Sequence, residues 1–192
     1  SMTDAATTFV LHGPDAERIE ASCPLPGLVN VQNAALALVM ALRAGVPAAT
    51  AVEALADAHN IPGRMQRISR RDGVRGTCIV DFAHTPDAME LALKAVRQIT
   101  PGRLIVVFGS DGDRDRGKRP MLGAIAARLA DVLVVTDENP RSEDPQTIRD
   151  AVLAGVRSVR PDMRDVEEIT TWRGDAVRRG VELCGPQDTV IV

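Results

Sequence analysis

The sequence has no tyrosine, one tryptophan and three phenylalanines, so it offers few flat side chains on which nucleic-acid bases could stack. It also has no excess of basic charge. Its 23 basic residues are outnumbered by 26 acidic ones, giving a formal net charge of -3 without the positive footprint that phosphate backbones require. Nucleic acid is therefore not an expected partner. No apolar run reaches the ~20 residues that would span a bilayer. The longest, Ala34 to Leu42, stops at Arg43 and predicts one buried helix. The amino terminus lacks a basic stretch followed by an apolar core, so neither a signal peptide nor a membrane partner is expected. Cysteine is scarce, and Cys23, Cys78 and Cys184 lie far apart with no CxxC spacing. They predict reduced core residues rather than a metal or redox site, as suits a cytoplasmic protein.

What is present is the composition of a globular protein, 45% hydrophobic and 26% charged over 192 residues, enough for one domain or one domain with part of another. From residue 77 onward, short β-branched runs alternate with helical patterns. Strands are predicted at Cys78–Asp81, Leu104–Phe108, Val132–Thr136 and Thr189–Val192, and such near-continuous apolar runs suit strands covered on both faces. Between them, Met89, Ala92, Leu93 and Val96, and then Leu122, Ile125, Ala126 and Leu129, recur at the spacing of one helix face. Thr85-Pro86 and Asp144-Pro145 each read as a capping side chain followed by proline at the first helical position. A third helix carries Ile148, Ala151 and Val152, and a fourth, after Trp172, carries Val177 and Val181. The fold class is α/β, with a doubly wound, mainly parallel, Rossmann-like sheet.

The first 66 residues differ. Two short strands, Thr8–His12 and Glu17–Ala21, are joined through Gly13-Pro14-Asp15 and followed by helices over Val31–Ala44 and Ala48–Ala58. A hairpin and two helices make a thin core, which predicts the end of a larger upstream domain, with a boundary near Ile61-Pro62-Gly63-Arg64. Ser1-Met2 is read as tag residues.

Ligands of open parallel sheets bind beyond the carboxyl ends of the strands, and three consecutive strands here run into charge. The segments are Asp81 to Asp87, Gly109 to Pro120 and Asp137 to Asp144, which together predict one polar rim. Gly112 to Lys118 matches the G-x-x-x-x-G-K part of a phosphate-binding loop, but position 119 is Arg. The hydroxyl that would hold Mg²⁺ is missing, and Asp113 and Asp115 put negative charge where phosphates would lie. The alternating signs suit a zwitterionic or carboxylate-bearing ligand better. Arg114 can grip a carboxylate in bidentate fashion while a neighbouring Asp takes an ammonium. Asn139-Pro140-Arg141 offers a second guanidinium on a fixed turn. His84, just before the helix start and downstream of Asp81, suits a phosphate or ribose. Each segment also has a purely structural reading: a solvated loop, a helix-entry turn, or an Asp81 that orients its own loop.

The motifs Leu25-Pro26-Gly27-Leu28-Val29-Asn30-Val31-Gln32-Asn33, Pro62-Gly63-Arg64-Met65, Asp81-Phe82-Ala83-His84-Thr85-Pro86, Gly112 to Pro120 and Asn139-Pro140-Arg141 resemble, in order, those of the Mur ligases. The last two resemble the branch of that family that adds meso-diaminopimelate. The resemblance implies that residues 1–66 end the central ATP-binding domain and that 67–192 form the C-terminal, amino-acid-binding domain. It implies ATP contacts from Asn33, Arg64, Asp81 and His84, and diaminopimelate contacts from Arg114, Glu138, Asn139, Pro140 and Arg141. The implied activity is ATP-dependent amide formation in peptidoglycan synthesis, with ATP, diaminopimelate and a UDP-MurNAc-dipeptide as small-molecule partners.

Three departures accompany the resemblance. The family's phosphate-binding loop, carbamylated lysine and Mg²⁺ ligands lie upstream of these motifs. Glu138 stands where the usual recognition motif has Asp. The family also continues past the position of Val192 into a Gly-Lys-Gly-His-Glu segment. The 192 residues alone are therefore expected to be inactive. Ligases that use lysine, ornithine or a preformed murein peptide, and a non-catalytic nucleotide- or amino-acid-binding module, remain as alternatives. Arg141 speaks against lysine, whose side-chain ammonium it would repel.

Overall fold

The computed structural model describes residues 7–13, 17–24, 28–58, 61–69 and 76–192. The chain divides into two compact units, residues 1–66 and 67–192. In the first, β1 (Thr7–His12) pairs antiparallel with β2 (Arg18–Cys23), and α1 (Leu28–Arg43) and α2 (Ala48–Ala56) follow. The expected turn residues Pro14 and Asp15 lie outside the described residues. The core here is small: Ala21, Leu38 and Ala51, with Phe9, Leu11, Ile19 and Val52 packed against them. The wholly buried helix expected over Ala34–Leu42 is corrected to a one-sided helix. Ala34 and Leu38, one turn apart, are buried, whereas Leu36 and Met40 are 61% and 64% exposed, because helical periodicity turns them to the opposite face.

The second unit is built on a six-stranded sheet in the order β3-β4-β8-β5-β6-β7. Its strands are β3 (Gln66–Ser69), β4 (Thr77–Val80), β5 (Leu104–Phe108), β6 (Val132–Thr136), β7 (Val166–Ile169) and β8 (Thr189–Ile191). β4, β8, β5, β6 and β7 run parallel. The chain steps outward from β4 to β5, β6 and β7 through α3 (Pro86–Gln98), α4 (Lys118–Leu129) and α5 (Pro145–Val159), then returns through α6 (Arg173–Leu183) to place β8 in the gap between β4 and β5. Right-handed crossovers taken in one direction stack α3, α4 and α5 on one face, and the single reversal puts α6 on the other. Strand alternation divides the core accordingly. Ile105, Val107, Val132, Val134 and Val190 pack with Ala176 of α6, and the intervening residues point to the opposite face. β5 and β6 are buried at every position, and each of their apolar side chains contributes roughly 1.5–3 kcal/mol of burial.

Local chemistry sets the helix ends. Thr85 and Asp144 accept from the amides of Ala88 (3.4 Å) and Gln146 (3.3 Å), and Pro86 and Pro145 occupy the first turns. α4 and α5 approach backbone to backbone through two glycines: a Cβ at Gly123 would fall 2.0 Å from the Val152 oxygen, and one at Gly155 1.9 Å from the Pro120 oxygen.

The expected strand at Cys78–Asp81 runs one residue earlier, and Asp81 lies beyond it, its amide bonded to the Val192 carbonyl at 3.0 Å. Two strands, β3 and β7, were not expected. Val181, expected on the buried face of α6, is 46% exposed, and Ala176 and Gly180 take the buried positions. Cys23 is buried, Cys78 and Cys184 are partly buried, and all three are free thiols. No described helix is long and apolar enough to cross a membrane.

Candidate functional site

Three loops leave the carboxyl ends of β4, β5 and β6, and they share one open cleft of about 660 Å³. Cations and carboxylates both line its wall. Arg114, Lys118 and Arg141 supply the positive groups and Asp111, Asp115 and Glu138 the negative ones, with His84, Thr85 and Asn139 between them.

The β5 and β6 loops are joined where Gly112 and Asp113 meet Asn139, Ser142 and Glu143. Gly112 donates its amide hydrogen to the Asn139 carbonyl at 2.9 Å. Asp113 donates its amide hydrogen to Glu143 Oε1 at 2.7 Å and accepts from Ser142 through its carboxylate, from Oγ at 2.7 Å and from the amide at 3.1 Å. Those two bonds from Ser142 hold the Asp113 carboxyl below the usual carboxylate range. Beneath them, Arg119 is 2% exposed and meets Glu143 in bidentate fashion at 2.8 and 3.0 Å. With the Arg119 bonds first and the Asp113 amide second, the Glu143 carboxyl is pulled down to about 2. Asp113 and Arg141 both have positive φ, 53° and 52°, a conformation uncommon outside glycine that surrounding bonds must hold in place.

This network changes the expected roles within the loop. Asp113 is occupied with Ser142, so the carboxylates left facing the cleft are Asp111, Asp115 and Glu138. Arg114 and Arg141 line the same cleft, both exposed, and neither has a hydrogen bond or ion pair among the described residues. Pro140 acts through its backbone: its carbonyl accepts from the Glu143 amide at 3.0 Å and lies against Gly112.

On the β4 loop, Asp81 Oδ1 accepts from the Ala83 amide at 2.9 Å, the loop-orienting bond. His84 Nδ1 lies 3.0 Å from the Phe82 carbonyl, which can only accept. Nδ1 is therefore the donor in this contact. Asp81, Phe82 and Glu138 also line an adjoining crevice of about 270 Å³ over the end of β8. Asn33 is exposed on α1, and Arg64 is exposed on a turn between Gly63 (φ 68°) and Met65 (φ 46°). Both belong to the first unit.

Lys118 also lines the cleft, a role that the incomplete phosphate-loop match of Gly112 to Lys118 does not predict. It is 8% exposed at the start of α4, and its ammonium donates to the His84 carbonyl at 3.0 Å, tying the β4 loop to the β5 loop. Two cations, Lys118 and Arg119, in the first turn of a helix oppose its dipole. That local conflict was the legible signal that both have other partners. Among the described residues no cluster of three His, Cys, Asp or Glu side chains is arranged to hold a metal ion.

Comparison with known proteins agrees with this architecture. The family "Mur ligase, glutamate ligase domain" matches residues 63–192. A UDP-N-acetylmuramyl-tripeptide synthetase of Leifsonia xyli is 46% identical over 98% of this chain and 37% of its own length. A UDP-N-acetylmuramoyl-L-alanyl-D-glutamate–2,6-diaminopimelate ligase of Thermosynechococcus vestitus is 44% identical over 88% of this chain and 33% of its own. The chain thus spans about a third of the length of these relatives. A solved structure of a 2,6-diaminopimelate ligase of the same description superposes on 100% of this chain and 38% of its own, with a TM-score of 0.65 and 34% identity. The UDP-N-acetylmuramate-alanine ligase of Thermotoga maritima, at 19% identity and a TM-score of 0.77, shares the fold. With more than half of its residues matched by the family and relatives this similar along nearly its whole length, the chain belongs to the Mur ligases.

Proposed function

We propose that the chain is the amino-acid-binding part of an ATP-dependent ligase that joins meso-diaminopimelate to UDP-MurNAc-L-Ala-D-Glu. Residues 67–192 would form the amino-acid domain and residues 1–66 the end of the ATP-binding domain. The observation that carries this reading is the convergence of Arg114 and Arg141 on one cleft with Asp111, Asp115 and Glu138. Diaminopimelate carries two carboxylates and two ammonium groups, and a wall that presents both cations and carboxylates fits such a dipolar acid. Lysine lacks the second carboxylate and would leave one guanidinium facing an ammonium. The name of the Thermosynechococcus vestitus relative, a 2,6-diaminopimelate ligase, supports the same substrate.

In the reaction, ATP phosphorylates the terminal carboxylate of the nucleotide-linked dipeptide, giving an acyl phosphate and ADP. The uncharged amine of diaminopimelate attacks the acyl carbon, the tetrahedral intermediate expels inorganic phosphate, and the amine's proton passes to a base. Arg114 and Arg141 hold the carboxylates, and Asn139 and Glu138 hold the dipolar end of the amino acid. Asp111 or Asp115 takes the proton. Lys118 adds positive charge beside the path of the phosphate. Asp81 and His84 serve the nucleotide. The contribution of these residues is positioning, which is worth on the order of 7 kcal/mol where a nucleophile is held at its target. Mg²⁺ neutralises phosphate charge in such reactions; the described residues offer it no set of ligands, so none is assigned to it.

Isothermal or ligand-observed NMR titration of the chain with meso-diaminopimelate and with L-lysine tests the reading. Diaminopimelate is expected to bind more tightly, with the preference lost in Arg141→Ala. Equal affinity of the wild-type chain for both amino acids would overturn it.

A further inference from the structure

We propose that Asp113 is a specificity-determining positioning residue: its carboxylate, bonded to Ser142, sets the spacing between the Arg114 and Arg141 guanidiniums. The inference rests on the reading of the cleft as a diaminopimelate site and adds what makes that site selective.

Asp113 precedes Arg114 and Ser142 follows Arg141 in the chain, so the bonds between Asp113 and Ser142, at 2.7 and 3.1 Å, link the two residues next to the arginines. Neither arginine has a hydrogen bond or ion pair of its own among the described residues. Where their long side chains begin is therefore fixed by the backbone alone, and the backbone at both places has the positive φ that bonds must hold, 53° at Asp113 and 52° at Arg141. The Gly112 amide on the Asn139 carbonyl and the Asp113 amide on Glu143 close the same seam on either side. A pocket that tells two carboxylates from one needs its two guanidiniums at a set separation, because bidentate pairing tolerates little misplacement. A merely structural seam would serve stability wherever it lay, whereas this one sits between the two cations that face the ligand.

Two substitutions at position 113 separate the bond from the backbone, since asparagine and glycine both tolerate positive φ. Asparagine can still accept from the Ser142 amide and donate to its Oγ, whereas glycine can do neither. Titration of the chain with meso-diaminopimelate and L-lysine is expected to show most of the wild-type preference retained in Asp113→Asn, which keeps the link as neutral bonds, and a loss of about tenfold or more in Asp113→Gly, which has no link. Ser142→Ala, which removes one exposed hydroxyl and keeps its amide, is expected to show a smaller loss in the same direction. It also supplies the test if the glycine variant does not fold. A preference unchanged in Ser142→Ala and Asp113→Gly overturns the inference while leaving the reading of the cleft intact. Absence of any preference in the wild-type chain overturns both.

Discussion

A Cβ placed on Gly112 would stand 1.8 Å from the Pro140 oxygen, and the Gly112 amide is already bonded to the carbonyl before it, that of Asn139, at 2.9 Å. The β5 and β6 loops therefore meet with no room for a side chain between them, and the obstruction is backbone, which cannot swing aside. Gly112→Ala is expected to push the loops apart and to cost about 1–3 kcal/mol, as overpacking does. For a unit of this size each kcal/mol lowers the melting temperature by roughly 2–8 °C. Thermal unfolding followed by circular dichroism checks it, and a midpoint equal to wild type would show that the two loops are not in contact.

Glu143 links the same loops electrostatically, and its pH dependence has a definite sign. Its carboxyl lies at about 2 in the folded chain, below the ordinary 4.5, because Arg119 and then the Asp113 amide favour the charged form. Its stabilising contribution is thus complete above the ordinary value and is lost as pH falls from there toward 2. Between those limits, the melting temperature of wild type is expected to fall more steeply than that of Glu143→Gln, with the two curves converging at the acid end. Parallel curves across that range would show that Glu143 is not held by Arg119.

Much of this architecture could be read from residue order, and the parts that could not have specific causes. β5 and β6 announce themselves because Leu104–Phe108 and Val132–Thr136 are buried at all five positions. β7 does not, because Val166-Glu167-Glu168-Ile169 puts two carboxylates at its centre. They are tolerated because Arg179 of α6 meets Glu167 at 2.7 Å and Arg149 of α5 meets Glu168 at 2.8 Å, partners 12 and 19 residues away in sequence. In the cleft, the charge pattern of the β5 and β6 loops was legible, but its division of labour was not. Nothing in Asp111 to Lys118 says that Asp113 faces Ser142 while Asp111 and Asp115 line the cleft, because that choice is made by a residue 29 positions away.

The thiol of Cys184 offers a check on the core beneath α6. Burial, and then the nearby Cys78, push it up to about 11, so the reactive thiolate is scarce at neutral pH. Alkylation mapped by mass spectrometry is expected to label Cys184 slowly in the native chain and rapidly in urea. Rapid labelling of the native chain would mean that α6 does not cover the sheet as described.

Arg149 is the strongest test of how β7 is held. It is 6% exposed on α5, bonded to Glu168 at 2.8 Å, to Gln146 at 2.6 Å and, by a short bond, to Asp137, the first residue after β6. One guanidinium thus ties the edge strand to its neighbour and fixes the point from which Glu138 and Asn139 enter the cleft. Removing it leaves two carboxylates facing each other in a partly desolvated place, and the loss of one partner from a buried pair typically costs about 3–5 kcal/mol. Both acids keep some exposure, 22% for Asp137 and 31% for Glu168, so water will repay part of that, and about 2–4 kcal/mol is expected for Arg149→Met. Urea unfolding gives the value directly. Asp137→Asn combined with Glu168→Gln in the Arg149→Met background should restore much of the loss, because the stranded charges are then gone. If the triple variant is no more stable than the single one, the cost lies in lost packing of the arginine stem and not in the uncompensated acids.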